Sequence, residues 1–354
     1  MADEQLPPQR KWYHAIGPGL ITACVVIGPG SIMTSTNVGA QQGFGMVWVV
    51  VAAVLFMAAF TVMGARLGVV TGKSACDLIA DKAGRKLAVV IGLGVFFISA
   101  SFQYGNNLGV HYAFEGLGVQ FQYMVVVFNA VALIFLFAFK NLYRAVERMM
   151  MVFVGLMLLA FASNLIYSGP NLIEFAKGLV PGGQSKIDLS VLALVGTTFV
   201  VTAAFYQSYL VRQKGWGPDE LQSGIVDARV GAGIMAVITL VLMSTAATLL
   251  YPTFHKQVEI TAANDGNFTE GAIVERADFD KAVAALTEAK KDPPKAEPRT
   301  LKKPTEVADQ LKQLFGGWGR PIFCMGLFAA AFSSFLVNSM IGGFILSDGL
   351  GLGS

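Results

Sequence analysis

The sequence predicts an all-α polytopic membrane protein, because its composition is strongly apolar and its apolar residues fall in long runs. Of its 354 residues, 54% are hydrophobic and only 14% are charged, and the mean hydropathy is +0.59. A soluble globular protein carries about 25% charged residues. The apolar runs have the roughly 20 residues that an α-helix needs to cross a hydrocarbon layer about 30 Å thick.

Eight segments meet this length requirement, at about residues 15–37, 44–65, 87–110, 117–139, 149–168, 189–211, 230–251 and 321–347. The first is unusual, since it carries Gly17-Pro18-Gly19 near its start and Gly28-Pro29-Gly30-Ser31 in its middle. A proline flanked by glycines cannot sustain a regular helix, so we expect a break there. In the sixth segment we expect no interruption by Pro or Gly at depth.

The cations of the short loops predict the orientation of the chain in the membrane. They fall before the first segment and after the second, fourth and sixth, which places them all on one side: Arg10, Lys11, Lys73, Lys82, Arg85, Lys86, Lys140, Arg144, Arg148, Arg212, Lys214 and Arg229. By the positive-inside rule the N-terminus is cytoplasmic. The first residues lack the short apolar core of a removable signal peptide. We therefore expect a multi-pass protein of the plasma or inner membrane.

Three regions follow from this reading. Residues 1–251 hold the first seven membrane helices, and residues 319–354 hold the eighth helix and the chain end. Residues 252–318 form a polar extracytoplasmic loop, in which ADFDKAVAALTEAKK predicts a solvated helix. A second loop helix is expected in TEVADQLKQLF, with Thr305 as its cap and Val307, Leu311 and Leu314 on one face.

Several classes of function are disfavoured. The net charge of +3, from 26 basic and 23 acidic residues, is too small for a nucleic-acid-binding protein. The three cysteines, Cys24, Cys76 and Cys324, form no CxxC pair, so we predict no zinc or iron–sulfur site and no cofactor. No Asp or Glu lies at the centre of a predicted span, which leaves no acidic dyad or Ser-His-Asp triad in the membrane. We therefore do not expect an enzyme.

Polar groups inside the membrane predict where a solute is held. A helix break exposes carbonyl oxygens on one side and amides on the other, which suit cations and anions respectively. Two spans carry polar clusters: Gln103, Tyr104, Asn106, Asn107 and His111 in the third, and Thr197, Thr198, Thr202, Tyr206, Gln207 and Ser208 in the sixth. Interhelical hydrogen bonds and a simple packing kink remain open as structural explanations. The functional reading is a hydrated pathway that includes Gln103, Asn106 and Asn107.

Four segments of the chain together resemble the NRAMP (natural resistance-associated macrophage protein) family of divalent-metal transporters: GPGLITACVVIGPGS, ARLGVVTGKSACDL, LYRAVERMMMVFVGLM and VADQLKQLFGGWGRPIFCMGLFAAAFSS. The resemblance implies the five-plus-five inverted repeat of the leucine-transporter fold, whose first and sixth helices are unwound at mid-membrane. Since that repeat has ten helices and eight are predicted here, we expect the chain to be truncated before the last two.

The resemblance also implies a site. Gly28 stands where the family has an Asp and Ser31 where it has an Asn, while Pro29 and Gly30 are retained; Phe205-Tyr206-Gln207 is expected at its Met-Pro-His run. We expect metal contacts from Gly28, Ser31, Thr202 and Gln207. Pro29, Gly30, Phe205, Tyr206 and Ser208 complete the predicted substrate-binding site. Without a carboxylate or a thioether, the metal is not expected to be the usual high-affinity manganese or iron.

The first hypothesis is therefore a secondary transporter that moves a divalent metal cation across the lipid bilayer by alternating access. One alternative on the same fold is a carrier of a small neutral or zwitterionic organic solute, which the uncharged site favours. Another is a membrane sensor or scaffold that transports nothing and binds a partner through its outer loop.

Overall fold

The computed structural model describes residues 27–138, 140–182, 187–262, 269–288 and 294–353, and this part of the chain is dominated by long helices. The helices up to the predicted outer loop are α1 (Pro29–Gln42), α2 (Val47–Thr71), α3 (Ala75–Ala83), α4 (Arg85–Gly116), α5 (Met124–Ala138), α6 (Lys140–Ser168), α7 (Leu172–Lys177), α8 (Leu189–Thr198), α9 (Val201–Gln213), α10 (Leu221–Leu249) and α11 (Tyr251–Phe254). The final long helix is α15 (Gly319–Leu350), and three short or solvated helices lie between α11 and it.

The predicted spans correspond to helices of this structure. Among the described residues, six segments are long and apolar enough to cross a membrane: Val47–Thr71, Arg85–Gly116, Met149–Ser168, Leu189–Gln213, Pro218–Leu249 and Pro304–Leu350. A shorter apolar helix, Met124–Phe137, matches the predicted fourth span. Of the first span, the part up to residue 26, with Gly17-Pro18-Gly19 and Cys24, lies outside the described residues. The all-α polytopic fold is confirmed.

The sixth predicted span is interrupted, as the resemblance implied and contrary to the expectation of no interruption by Pro or Gly, which overlooked Gly196. It consists of α8 and α9, which are separated by Phe199 and Val200. Their ψ angles of 79° and 89° are far from the α-helical value of about −42°, so the helix cannot pass through them. The prediction from the residues was wrong because it passed over Gly196 and gave no weight to the β-branched residues that follow it.

Helix α1 lies at the centre of the bundle. It packs against α10, α8 and α4, while α2 packs against α10 and α9, and the most extensive interface joins α4 to α15. At Gly109 of α4 the ring of Pro29 occupies the space that a β-carbon would need. Only glycine at position 109 allows the start of α1 to approach α4 this closely.

A buried carboxylate ties the ends of four helices together at one end of the bundle. Asp348 of α15 is 3% exposed and accepts hydrogen bonds from the hydroxyls of Ser74 and Tyr209, the latter at 2.7 Å. Ser74 also caps α3 by accepting from the amide of Asp77 at 3.0 Å. Arg85, the first residue of α4, donates to the carbonyl of Asp348 at 2.8 Å. The carboxylate is therefore hydrogen-bonded by two hydroxyls, as a buried polar group must be.

The opposite end of the bundle carries a small antiparallel sheet between the seventh and eighth predicted spans. Its order is β2 (Ile273–Glu275), β1 (Gln257–Ala262) and β3 (Lys295–Pro298), with Val258 opposite Val274 and Ile260 opposite Ala296. The predicted solvated helix is present as α12 (Arg276–Glu288).

The rest of this interhelical segment returns to the bundle through α13 (Pro304–Val307) and α14 (Lys312–Phe315). Val307 and Leu311 are fully buried, as predicted, but Leu314 is 37% exposed. Thr305 lies inside α13 and is not its cap. Instead, the Glu306 carboxylate accepts from the amide of Lys303 at 2.9 Å, since Pro304 has already set the start of the helix.

Two polar contacts fix this returning segment to the helices. The Asn37 side chain of α1 accepts from the amide of Leu301 at 2.7 Å and donates to its carbonyl at 3.3 Å. Lys303 donates to Glu115, the penultimate residue of α4, at 3.0 Å. The hydrogen bond and negative charge of Glu115 raise the pKa of Lys303 above its usual value. The start of the eighth-span region is thus bonded directly to α1 and α4.

Candidate functional site: two helix breaks and a polar cluster

The first part of the site is the start of α1. Gly28 is extended, with φ −106° and ψ 176°, and Pro29 is the first helical residue. Proline suits this position because it has no amide hydrogen to leave unpaired. No side chain caps this helix. The amides of Gly30 and Ser31 therefore point beyond the helix end and carry the positive end of its dipole.

The second part is the end of α8. The last amide that bonds back into this helix is that of Phe199, which donates to Val195 at 2.7 Å. Beyond the break, the amides of Ala203 and Ala204 both donate to Val200. Within the described residues, the carbonyls of Gly196 and Thr198 consequently receive no helical hydrogen bond. This helix end carries partial negative charge, which suits a cation.

The two helix ends contact one another. The Ser31 hydroxyl donates to the carbonyl of Thr197 at 3.4 Å, and the hydroxyls of Thr34 and Thr197 lie 2.8 Å apart. Just past the break, Thr202 is fully buried and its Oγ1 has no hydrogen-bond partner among the described residues. An amide-rich end, a carbonyl-rich end and several hydroxyls thus meet inside the bundle.

A polar cluster from α4 and α15 covers the other side of the α1 start. A β-carbon placed on Gly28 would lie 2.9 Å from Ser334 Oγ and 3.1 Å from Asn106 Oδ1. Asn106 is 2% exposed and Ser334 is 1% exposed. Asn106 donates to Gln103 Oε1 at 2.8 Å, and Asn338 donates to Ser334 Oγ at 3.0 Å. Two oxygen atoms therefore occupy the place toward which a side chain at position 28 would extend.

The predicted pathway residues on α4 bond to two different neighbouring helices, α15 and α5. Gln103 donates to the carbonyl of Phe335 at 2.7 Å and to the Ser339 hydroxyl at 2.6 Å, which fixes the cluster on α15. Asn107 lies on another face of α4 and accepts from Asn129 of α5 at 2.9 Å. The structure thus joins Gln103 and Asn106 to the α1 start but binds Asn107 to a different helix.

Four of the predicted site residues, at positions 205–208, lie within α9, more than one helical turn past the break. Tyr206 belongs to an apolar cluster with Tyr209, Val95 and Ile341, against which Phe205 packs. The Ser208 hydroxyl accepts from the amide of Ala75 at 3.1 Å. The side chain of Gln207 is buried beside Gly64 of α2, and its amide nitrogen has no partner among the described residues.

The position of the break bears on the contacts expected from the sixth span. The unwound residues are Phe199 and Val200, whereas Phe205, Tyr206 and Gln207 lie in the helix that follows them. These three residues are regular helix and pack against neighbouring elements, as described above. The metal contact expected from Gln207 and the substrate contacts expected from Phe205, Tyr206 and Ser208 stay predictions at residues of regular helix, whereas Thr202 lies beside the unwound backbone.

Two residues of the assembled site were not predicted as ligands. Thr197 was noted only as a polar group of the sixth span, and Ser334 only within the motif AAFSS of the eighth. A usable signal for the break was the run Thr197-Thr198-Phe199-Val200-Val201-Thr202, in which every residue but Phe199 is β-branched. Such residues have low helix propensity because their side chains are restricted against the preceding turn.

The side chains that surround the two helix ends are neutral: Ser31, Thr34, Asn106, Thr197, Thr202 and Ser334. In the part of the chain that the structure describes, no group of three or more His, Cys, Asp or Glu side chains could hold a metal ion. A cation at this place would thus be held by hydroxyl, amide and backbone oxygens.

Comparison with known proteins identifies the family. The family model Nramp, natural resistance-associated macrophage protein-like, matches residues 19–267. The chain belongs to the Nramp family. The expected resemblance is therefore confirmed, and the matched range includes both helix breaks of the site.

The curated relatives of this Nramp chain are distant. It is 26% identical over 260 residues to the divalent metal cation transporter MntH of Chromohalobacter salexigens, covering 70% of this chain and 59% of that protein. With MntH of Latilactobacillus sakei it shares 23% identity over 252 residues, covering 67% of this chain and 55% of that one. The Nramp chain thus spans less than two thirds of the length of the curated relatives that it matches.

Solved structures agree on the fold. A manganese transporter of Eremococcus coleocola, in complex with an aromatic bis-isothiourea substituted compound, superposes on this Nramp chain with a TM-score of 0.67 at 16% identity. That match covers 99% of this chain and 70% of the transporter. A mutant of the same transporter gives a TM-score of 0.65 and covers 68% of that chain. The helices of this protein therefore follow the same course as those of that manganese transporter.

Proposed function

We propose that this protein is a secondary transporter of a divalent metal cation, and that the cation binds between the start of α1 and the end of α8. The observation that carries the proposal is the contact between two helix ends of opposite polarity through Ser31 and Thr197. Broken helices that meet inside a membrane bundle are the usual binding site of transporters with inverted repeats. The named function of the MntH relatives supports a divalent cation as cargo.

The proposed ligands are the exposed carbonyls at the end of α8, the Ser31 and Thr202 hydroxyls and the backbone around Gly28. Oxygen ligands of this kind suit hard cations, which keep part of their water shell. Manganese and iron bind more tightly where a carboxylate or softer ligand is present. The neutral site therefore supports transport of a divalent cation that is not manganese or iron bound at high affinity.

Movement of the cation would occur by alternating access of the two bundle ends. In this scheme the end with Ser74 and Asp348 faces the cytoplasm, together with the N-terminus, because the cations of the loop that joins α2 to α4 lie there. The sheet β1–β3 then lies outside. Support comes from the short-loop charges Lys73, Lys82, Arg85 and Lys86, which follow the positive-inside rule.

The test is uptake by the full-length protein in liposomes loaded with a fluorescent indicator for divalent cations. We expect uptake of Mg²⁺ or Mn²⁺ that depends on the protein and saturates with concentration. The matched controls are empty liposomes and a Thr197→Pro variant, which would displace the carbonyl end of α8. Uptake equal to that of empty liposomes for every divalent cation would refute the proposal.

A second candidate is a carrier of a small zwitterion. It is favoured by the uncapped amide end of α1, which would suit a carboxylate, opposite the carbonyl end of α8, which would suit an ammonium group. In the same liposomes, uptake of a radiolabelled amino acid that no divalent cation alters would support this candidate over the first.

A further inference from the structure

We propose that Asn106 Oδ1 and Ser334 Oγ are direct ligands of the transported cation and that they select for hard divalent cations such as Mg²⁺. This inference rests on the proposed function and adds two side chains from outside the broken helices. The starting observation is that both oxygens converge on the site where a side chain at position 28 would begin.

The orientation of both oxygens is fixed by their neighbours. Asn106 uses its amide nitrogen to donate to Gln103, so its oxygen is the atom that faces Gly28. No described residue donates a hydrogen bond to that oxygen. Ser334 Oγ accepts one hydrogen bond, from Asn338, and a hydroxyl oxygen has a second lone pair. Each oxygen therefore retains a free acceptor site, directed at the start of α1.

Burial makes these free acceptor sites significant. With 2% and 1% of their surfaces exposed, Asn106 and Ser334 have little contact with bulk water. A buried acceptor without a partner is unfavourable, so such groups normally bind another atom. Amide and hydroxyl oxygens are ligands for hard cations, and neither attracts soft ones such as Cd²⁺.

The chain offers a matched neighbour for each residue. Asn107 is next to Asn106 on α4, but its oxygen accepts from Asn129 of α5 and is not among the atoms nearest to Gly28. Ser333 is next to Ser334 and is also buried, at 7% exposure, but it is not among the atoms nearest to Gly28. Variants of these two neighbours make the same chemical change without the proposed contact, Ser333 in a buried place and Asn107 in a half-buried one.

The decisive experiment changes the metal preference. Purified full-length protein in detergent is titrated calorimetrically with MgCl₂ and with CdCl₂, for the native form, Ser334→Cys and Ser333→Cys. Because a thiol is a soft ligand, Ser334→Cys should tighten Cd²⁺ binding at least about tenfold and weaken Mg²⁺ binding, while Ser333→Cys should change neither. A role in packing alone would not produce a gain of Cd²⁺ affinity at one serine only.

The asparagine pair gives an independent measurement. Asn106→Ala should weaken Mg²⁺ binding about tenfold and Asn107→Ala should leave it unchanged, since an interaction with a charged partner is lost only in the first. If the native protein binds Mg²⁺ but each variant has the same metal affinities as the variant of its matched neighbour, the ligand assignment is overturned and the proposed function stands. If the native protein binds no divalent cation in any assay, both are overturned.

Discussion

Replacing Gly28 by aspartate would return a carboxylate to the centre of the site, and the structure sets both the gain and the cost. A carboxylate oxygen about 2.5 Å from a divalent ion attracts it by on the order of 10 kcal/mol at an effective dielectric constant of 20, before desolvation is subtracted. Removing each charge from water costs several kcal/mol. We expect a net gain of at least about 1.4 kcal/mol in Mn²⁺ binding, which is tenfold in affinity.

The cost comes from crowding. The new β-carbon would lie 2.9 Å from Ser334 Oγ and 3.1 Å from Asn106 Oδ1, so at least one of these must shift. Overpacking of this kind costs about 1–3 kcal/mol. Gly28→Asp alone should therefore lower the melting temperature of the metal-free protein, and the additional Ser334→Ala change should restore part of it by removing the closer atom.

The assay is a double-mutant cycle read by Mn²⁺ titration of native protein, Gly28→Asp, Ser334→Ala and the double variant. Ser334→Ala should weaken Mn²⁺ binding in the native background, because an oxygen ligand is lost. In the Gly28→Asp background the same change should strengthen it, because crowding is relieved around a stronger ligand. Equal affinity in all four proteins would show that position 28 does not face the ion and would refute the placement of the site.

Two further substitutions test the packing around the site. Gly109→Ala should cost about 1–3 kcal/mol of stability, measured by thermal denaturation in detergent, because its β-carbon would displace the ring of Pro29. Gly105→Ala, four residues earlier on α4 with no atom within 4 Å of the added carbon, should cost less than about 0.5 kcal/mol. Tyr209→Phe should cost about 1.5–3 kcal/mol in the same assay by removing a hydrogen bond to the buried carboxylate of α15. Tyr206→Phe, the ring stacked against it, serves as the control and should change stability little.

The membrane helices could be predicted because the requirement for about 20 apolar residues is strong and local. The residues at which these helices begin and end could not be predicted. The predicted third span, residues 87–110, is the helix Arg85–Gly116, and the seventh, residues 230–251, lies within Leu221–Leu249 apart from its last two residues. Helices continue beyond the hydrocarbon layer wherever backbone hydrogen bonding and packing still favour them. The amino-acid composition does not show at which residue such a helix ends.

The break at Phe199 and Val200 shows that helix breaks cannot always be predicted from individual residues. Gly28-Pro29-Gly30 predicts a break because proline lacks an amide hydrogen. Each β-branched residue of the sixth span lowers helix propensity by only a fraction of a kcal/mol, so no one of them predicts an interruption. Their run, combined with the hydroxyl contacts that the neighbouring α1 start offers to Thr197, gives an effect that only the assembled structure reveals.

The proposed ligands Asn106 of α4 and Ser334 of α15 show a second limit of prediction from sequence. Asn106 was expected to line a pathway because a buried amide in an apolar helix is rare, and it does lie beside Gly28. Ser334 was not singled out, since serine is common at helix interfaces in membranes. Ser334 lies opposite Gly28 because of a contact between residues more than 300 positions apart, and such long-range contacts cannot be predicted from a single sequence. The strands β1–β3 were missed for a related reason, because they are short and their pairing is non-local.

The neutrality of the site bears on which ion it can serve. A dissociation constant of 1 mM corresponds to about 4 kcal/mol of binding free energy, and one of 1 μM to about 8 kcal/mol. Neutral oxygens compensate an ion for lost water less fully than a carboxylate does, so the glycine at position 28 moves the site toward the weaker value. An ion that is scarce in the cell's surroundings cannot load a site of millimolar affinity, whereas an abundant one can. The combination of Gly28, Asn106 and Ser334 is therefore better suited to an abundant hard cation than to a trace metal, and the same weak binding would favour rapid release on the far side of the membrane.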